Sequence, residues 1–334
     1  MKGLLLTALC CLGCAAQDFR VYAIDVEGGK STLYVSPSGE SMLVDAGYGG
    51  VQGRDAKRIA AAVREAGVKQ IDYLVVTHYH QDHMGGVPQL AALVPIRNFV
   101  DHGRNFESVK DVGGLYNTYL ETRAKGRHIE VKAGDRIPIR GIDVHVVTAS
   151  GEAMRDKGWP NPLCDTYQLI QPDSGENSHS IGLEITFGRF RLVDLGDLYW
   201  NQEHDLACPL NLLGTVDVYM TTHHGKKTSG LPQLVQALHF RAAIMNNGPT
   251  SGASEQAWQT IHDSPGAPDI WQLHAAEKND SAHNAPEMFI ANRTLNCQGS
   301  WIRLTAHADG SFAIRNGRTG WEKSYSAVHD AATH

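Results

Sequence analysis

The chain has 334 residues, enough for one large domain or two small ones. Its 42% hydrophobic and 20% charged residues are ordinary for a soluble globular protein. A net charge of −6 argues against a general nucleic-acid binder, which needs a basic excess to displace counterions, but leaves room for an enzyme that grips a single phosphate.

Residues 1–16 read as an export signal. Lys2 gives the positive start, Leu4 to Gly13 is an apolar core too short to span a bilayer, and Cys14-Ala15-Ala16 offers small residues for cleavage. Leu12-Gly13-Cys14 also resembles a lipoprotein cleavage box, with Cys11 where a Leu is usual, so Cys14 is a candidate lipid anchor. Either outcome places the mature chain outside the cytoplasm, and no later run is apolar and long enough to span a membrane. Outside this segment, Cys164, Cys208 and Cys297 remain, which allows one disulfide with a leftover thiol and no C-x-x-C metal clip.

The expected elements begin with strands at Phe19–Val26, Ser31–Ser36 and Ser41–Val44, separated by turns at Gly28-Gly29 and Pro37-Ser38-Gly39-Glu40. Asp45-Ala46-Gly47 closes the third. Asp55–Ala66 predicts an amphipathic helix, with Ala56, Ile59, Ala60 and Val63 on one face, Asp55 capping its start and Gly67 its end. The apolar run Ile71–Val76 is a buried strand that leads into Thr77-His78-Tyr79-His80-Gln81-Asp82-His83-Met84-Gly85-Gly86. Alternate residues His78 and His80 can face one metal ion, and Asp82 and His83 a second. Imidazole and carboxylate donors suit zinc, with manganese and iron as alternatives, better than calcium.

Downstream, Pro88–Leu93 predicts a helix, Ile96–Val100 a strand, and Asp101–Arg127 a helical cover in which Tyr116, Tyr119 and Leu120 pack. Strands follow at Ile129–Val131, Arg136–Ile139 and Ile142–Val147, with His145 as a core or face residue, and Ser150–Gln171 is a surface loop. Ser180–Thr186 and Phe190–Asp194 are strands ending at Gly196-Asp197, and Val216–Met220 is a strand ending at His223-His224-Gly225. The remainder holds a strand at Ala242–Met245, a helix at Ser254–His262, a strand at Ile270–His274 and a hairpin of Ser300–Thr305 with Ser311–Arg315. A domain of residues 17–320 and a frayed tail at 321–334 complete the expected organisation. Several strand ends thus bring His and Asp to one rim, as a two-metal site requires.

The motif His-x-His-x-Asp-His at residues 78–83 resembles the signature of the metallo-β-lactamase superfamily. That resemblance implies an α/β fold, a four-layer αββα sandwich, with one or two metals at the sheet edge. Asp25-Val26, Asp45-Ala46-Gly47, Asn177-Ser178-His179-Ser180, Gly196-Asp197 and His223-His224-Gly225 narrow it. Over residues 19–275 the pattern is similar to the soluble domain of the DNA-uptake protein ComEC and to secreted phosphorylcholine esterases. Where that subgroup has Asp-Val-Gly-Gln-Gly-Asp, this chain has Asp25-Val26-Glu27-Gly28-Gly29-Lys30.

By this resemblance His78 and His80 hold one metal, Asp82 and His83 the other, Asp197 bridges and Asp45 buttresses the loop through hydrogen bonds. His224 is favoured over His223 as the last ligand, and His179 is the candidate third ligand of the first metal, set against a plain turn residue. Asp82 and His223 are the expected catalytic groups, His223 by bonding a phosphate or protonating a leaving oxygen. A water between two dications is acidified toward neutrality, and the ions hold phosphoryl or acyl oxygen. The expected activity is therefore hydrolysis of a small or end-group phosphoester, with long nucleic acid disfavoured. The alternatives are a lactone or β-lactam hydrolase, or an iron oxidoreductase of the same superfamily. The flavodiiron branch typically has Glu where His80 stands and carries an extra flavodoxin domain.

Overall fold

The computed structural model describes residues 18–107, 114–155, 157–166 and 171–328. The export signal at 1–16 and parts of the two expected loop or cover segments (108–113 and 167–170) lie outside the described residues.

In the first half, the elements are β1 (Phe19–Ala23), β2 (Thr32–Val35), β3 (Ser41–Val44), α1 (Arg54–Glu65), β4 (Ile71–Val75), α2 (Gln81–Met84), α3 (Val87–Ala91), β5 (Ile96–Asp101), α4 (Leu115–Arg123) and β6 (Arg127–Glu130). The middle holds β7 (Asp143–Ala149), β8 (Glu152–Ala153), β9 (Trp159–Pro160), β10 (Gly182–Phe187), β11 (Phe190–Asp194), α5 (Trp200–Ala207), β12 (Leu210–Asn211), β13 (Val218–Met220), α6 (Pro232–Ala237) and β14 (Ala242–Met245). The chain ends with α7 (Glu255–His262), β15 (Asp269–His274), β16 (Ile290–Asn292), β17 (Ile302–Ala306), β18 (Phe312–Asn316) and β19 (Glu322–Tyr325).

Two large sheets form, in the orders β19-β18-β17-β1-β2-β3-β4-β5-β6 and β16-β15-β14-β13-β11-β10-β7-β8, and β12 pairs with β9 in a small third one. Their facing sides share one core, in which Phe19, Val21, Met42 and Val44 meet Val144, Leu183, Leu192, Ile244 and Trp271. Alternate residues point the other way, as a pleated strand requires. Tyr22, Leu33 and Leu43 pack outward against Ile59 and Val63 of α1, Leu90 of α3 and Tyr119 of α4. On the far side, Val193, Tyr219 and Ala243 pack against Leu206 of α5, Leu234 of α6 and Trp258 of α7. Burial on both faces explains why these strands read as continuous apolar runs. The result is the αββα sandwich.

Helix α1 buries Ala56, Ile59, Ala60 and Val63, the face its spacing predicted. Gly67 follows it in the left-handed region at φ 73, where a side chain would be strained. Asp55 does not cap this helix. It lies inside the first turn, buried, and accepts from the Tyr48 N–H at 2.8 Å and from Arg54 Nε at 2.7 Å. The stretch 136–139 makes only an isolated bridge between Arg136 and His145. The expected frayed tail is corrected over its first part: residues 322–325 pair with β18, because Tyr325 stacks on Phe312 at 4.3 Å and donates to Asp269. The leftover-thiol reading holds, with Cys164 bonded to Cys208 and Cys297 free. Among the described residues no helix is long and apolar enough to cross a membrane.

The pairs β11–β13, β13–β14 and β14–β15 are parallel, so their C-terminal ends share one edge of the second sheet. Residues just past those ends fall on a common rim, the usual place for a site in parallel sheets.

Candidate metal centre

The loop after β4 is fastened by Asp45. This residue holds a left-handed conformation (φ 62), which an Asp tolerates better than most residues. Asp45 Oδ1 accepts from the Thr77 N–H, and Oδ2 accepts from Thr77 Oγ1 and from His83 Nδ1, each at 2.8 Å. The buttressing geometry expected of Asp45 is therefore present. With its Nδ1 proton committed, His83 presents the lone pair of Nε2 to the centre. Thr77 Oγ1, already donating to Asp45, accepts from His78 Nδ1 at 3.1 Å, so His78 also turns Nε2 inward, 3.1 Å from His80 Nδ1. Gly85 and Gly86 serve this loop through close approach rather than through an unusual turn. A Cβ on Gly86 would lie 2.1 Å from the Ala46 oxygen.

From the second sheet, Asp197 follows β11 and the His223-His224 pair follows β13. Both histidines sit in the left-handed region, at φ 51 and 56, a cost of about 1 kcal/mol or more each. Two backbone bonds hold them there: the His223 N–H donates to the Gly196 oxygen at 3.0 Å, and His224 O accepts from Ala253 N at 2.8 Å. Gly252 is needed beside them, since a Cβ there would lie 2.1 Å from the His224 oxygen.

Asp82, His83, Asp197 and His224 each offer a ligand atom within 4.8 Å of all the others. Asp197 Oδ2 lies 3.2 Å from His83 Nε2 and from His224 Nε2, and 3.5 Å from His223 Nε2. Asp82 Oδ2 stands 3.7 Å from His83 Nε2 and 3.6 Å from His224 Nε2. His83 Nε2, His224 Nε2 and Asp197 Oδ1 are buried without a hydrogen-bond partner. Buried donor and acceptor atoms left unmatched are costly, so a set of them converging on one point fits a cation between them.

Electrostatics agree. Burial raises the Asp197 carboxyl, but His224, His83 and His223 overcome this and hold it well below the usual range. Burial lowers His83, yet the charges of Asp197, Asp45 and Asp82 push it well up. His78, fully buried beside His83, is driven well down. His223 differs: burial, opposed by Asp197 and reinforced by Lys226, brings it down to about 3. Its Nδ1 donates to Ser229 Oγ, which itself donates to Leu198 O, while Nε2 accepts from Lys226 Nζ at 3.1 Å. His223 is thus a neutral imidazole at neutral pH.

The structure does not bring His179 into this set. It ends a single 3₁₀ turn, its Nδ1 donates to the Gly175 oxygen at 2.8 Å, and its ring stacks on Phe106 at 3.5 Å. Two residues earlier, Asn177 lines the same cavity as His80, Asp82 and Asp197, with its Oδ1 buried and unpartnered. Sequence reasoning quoted Asn177 in the subgroup pattern without giving it a role; its place two residues before His179 was the available signal. The cavity above the donors has a volume of about 560 Å³, and Lys226, Lys227 and Lys278 contribute to its walls.

Lys30, which departs from the subgroup pattern, is fully buried and pairs with Asp194, whose other oxygen accepts from Tyr34 at 2.8 Å. Its backbone N–H donates to the Asp82 backbone carbonyl at 3.0 Å, so this loop also supports the centre.

Residues 24–165 match the family description Metallo-beta-lactamase superfamily. This match agrees with the αββα sandwich and the rim of His and Asp, and the fold is that of the metallo-β-lactamases. Two relatives at modest identity support a likeness to the ComEC-like subgroup. The chain is 26% identical over 251 residues to ComE operon protein 3 of Bacillus subtilis, covering 70% of this chain and 29% of that protein. It is 24% identical over 235 residues to Recombination protein 2 of Haemophilus influenzae, covering 69% of this chain and 24% of that protein. The matches therefore span less than a third of the length of either relative. Among solved structures, the metallo-β-lactamase fold protein YhfI of Bacillus subtilis is similar at 13% identity and a TM-score of 0.47, over 76% of this chain and 96% of that one.

Proposed function

We propose that this protein is a metal-dependent hydrolase of small or end-group phosphoesters acting outside the cytoplasm. The observation that carries the reading is the set of buried, unpartnered His and Asp atoms at the base of a cavity partly walled by three lysines. Asp82, His83, Asp197 and His224 would hold one divalent ion, and His78 and His80, whose ring nitrogens face each other, would hold a second with Asp197 shared. When bound, such ions supply an acidified water and positive charge for phosphoryl oxygens. Zinc suits the nitrogen and oxygen donors, and manganese or iron would also be accepted.

The chain's own residues do the rest. Lys226, Lys227 and Lys278 draw an anionic group into the cavity, which favours a phosphoester over the acyl substrates of the alternative reading. His223, fixed between Ser229 and Lys226, orients Lys226, which lines the cavity. Asn177 Oδ1 offers an oxygen acceptor to an ion or to a substrate hydroxyl. Location outside the cytoplasm is supported by the Cys164–Cys208 disulfide, a bond that persists in oxidising compartments.

A panel of chromogenic phosphomonoesters, phosphodiesters, lactones and cephalosporins, run with zinc and with manganese, tests the reading. Phosphoester turnover should fall to background with EDTA and in His80→Ala and Asp197→Ala. A lactone or cephalosporin hydrolysed orders of magnitude faster than every phosphoester would replace it with the acyl reading.

A further inference from the structure

Away from the rim just described, three more ligand-type side chains meet. Asp25 follows β1, His274 ends β15, and Cys297 lies between β16 and β17. Each offers a donor atom within 4.8 Å of the other two. Asp25 Oδ1 accepts from His274 Nε2 at 2.7 Å, and Oδ2 accepts from Cys297 Sγ at 3.1 Å. The two shared protons stand where a cation would replace them. Asp25 and His274 are fully buried, while Cys297 is partly exposed and gives the cluster its route to solvent. The remaining ring nitrogen of His274, Nδ1, is also buried and has no partner.

We propose that Asp25, His274 and Cys297 form a second, separate transition-metal site of the zinc class, which clamps the two sheets together. The donor set decides the class: thiolate, imidazole and carboxylate together suit zinc, and a thiolate disfavours calcium and magnesium. Charge balance permits it, because a thiolate and a carboxylate neutralise a dication. Arg58 touches two of the three ligands: its guanidinium donates to Asp25 Oδ2 at 2.9 Å and to Cys297 Sγ at 3.4 Å, and it pairs with Glu27 at 3.1 Å, so it fixes the carboxylate and favours the thiolate form of the cysteine. The site bridges sheets because Asp25 and Cys297 flank the neighbouring strands β1 and β17 of the first sheet, and His274 belongs to the second. The four residues after Asp25 lead directly to Lys30, whose N–H supports Asp82. The clamp therefore braces the hydrolytic rim without contributing to its chemistry.

Cobalt(II) reports on the thiolate directly. Cys297 is the only free cysteine among the described residues, and the hydrolytic centre holds only nitrogen and oxygen donors. Cobalt(II) added to the chelator-stripped full chain should produce a near-ultraviolet thiolate-to-metal charge-transfer band that saturates with a single equivalent at this site. The band should vanish in Cys297→Ser and persist in Asp82→Ala. Zinc should displace it, and Cys297→Ser should carry one fewer zinc than the parent while still hydrolysing substrate. Absence of the band in folded parent protein, or its survival in Cys297→Ser, overturns the proposal. Because the readout is spectroscopic, it stands or falls independently of whether any phosphoester is cleaved.

Discussion

The Asp82–His83–Asp197–His224 centre and the Asp25–His274–Cys297 cluster contain similar residue types and differ in how completely the protein satisfies them. Both oxygens of Asp25 are fully engaged: the Glu27 N–H and His274 on Oδ1, Arg58 and Cys297 on Oδ2. The rim centre leaves Asp197 Oδ1 and three imidazole nitrogens, His83 Nε2 and both of His224, unmatched. A protein that satisfies every atom of a buried acid can fold around it without help. One that leaves several unmatched at a single point carries a cost that a bound cation would offset. The cluster with its own arginine is therefore expected to keep its geometry when stripped of metal, and the rim to loosen.

The largest test of this contrast concerns the fully buried cation Lys30. Lys30 is buried against Asp194, and Asp45 and Asp197 add to the field that raises its pKa after burial has lowered it. Lys30→Met leaves Asp194 buried with Tyr34 alone and should cost about 3–5 kcal/mol in denaturant unfolding. A loss below about 1 kcal/mol, the scale of an exposed pair, would mean that the rim's acids do not depend on this cation.

Glu203 sharpens the comparison next, as a buried acid given neither an arginine nor a histidine. Burial pushes its pKa up to about 7 from 4.5, although the Gly230 and Leu231 N–H groups favour its charged form. The neutral acid is thus the form the fold prefers. Its contribution is complete below the unfolded value near 4.5, falls as pH rises toward 7, and is lost above the folded value. The loss is roughly 3 kcal/mol from the size of the shift. Unfolding curves from pH 4 to 8 should show the parent losing this stability and Glu203→Gln failing to lose it. Parallel curves would refute the account.

The smallest expected effect is at Asp45. Asp45→Ala frees His83 Nδ1 and Thr77, and should weaken metal affinity or turnover by about 10- to 100-fold while leaving the ligands in place. Titration calorimetry with zinc would check this, and unchanged affinity would show that the loop holds its histidines without the buttress.

These comparisons also explain what the sequence disclosed. His78, His80, Asp82 and His83 are legible because one loop after one apolar strand delivers them, so spacing alone encodes their meeting. Asp197 and the His223-His224 pair were readable one step less directly, as residues just past strand ends on a common sheet edge. The helix at 54–65 was visible in its apolar spacing, but the partner of Asp55 was not, because Tyr48 reaches it only through the folded turn. Helices α5 and α6 are short and packed on the outer face of the second sheet, so their burial depends on tertiary context more than on a repeating pattern. The Asp25–His274–Cys297 cluster left no local trace, since its members are 249 and 272 residues apart from Asp25.

The pairing of residues 322–325 with β18 has a bearing on the behaviour of the protein in a crowded solution. Without that strand, β18 would present a row of unpaired backbone groups beside buried Phe312 and Ile314, a template for strand addition by another chain. The opposite border of the sheet is blunted by the largely exposed, charged stretch Arg127–Glu130. The short strand ending in Tyr325 performs the same service, with Glu322 exposed and Lys323 half-exposed and paired with Asp269. Shortening the chain ahead of Glu322 would leave the metal ligands untouched and convert a sealed border into a seed for self-association.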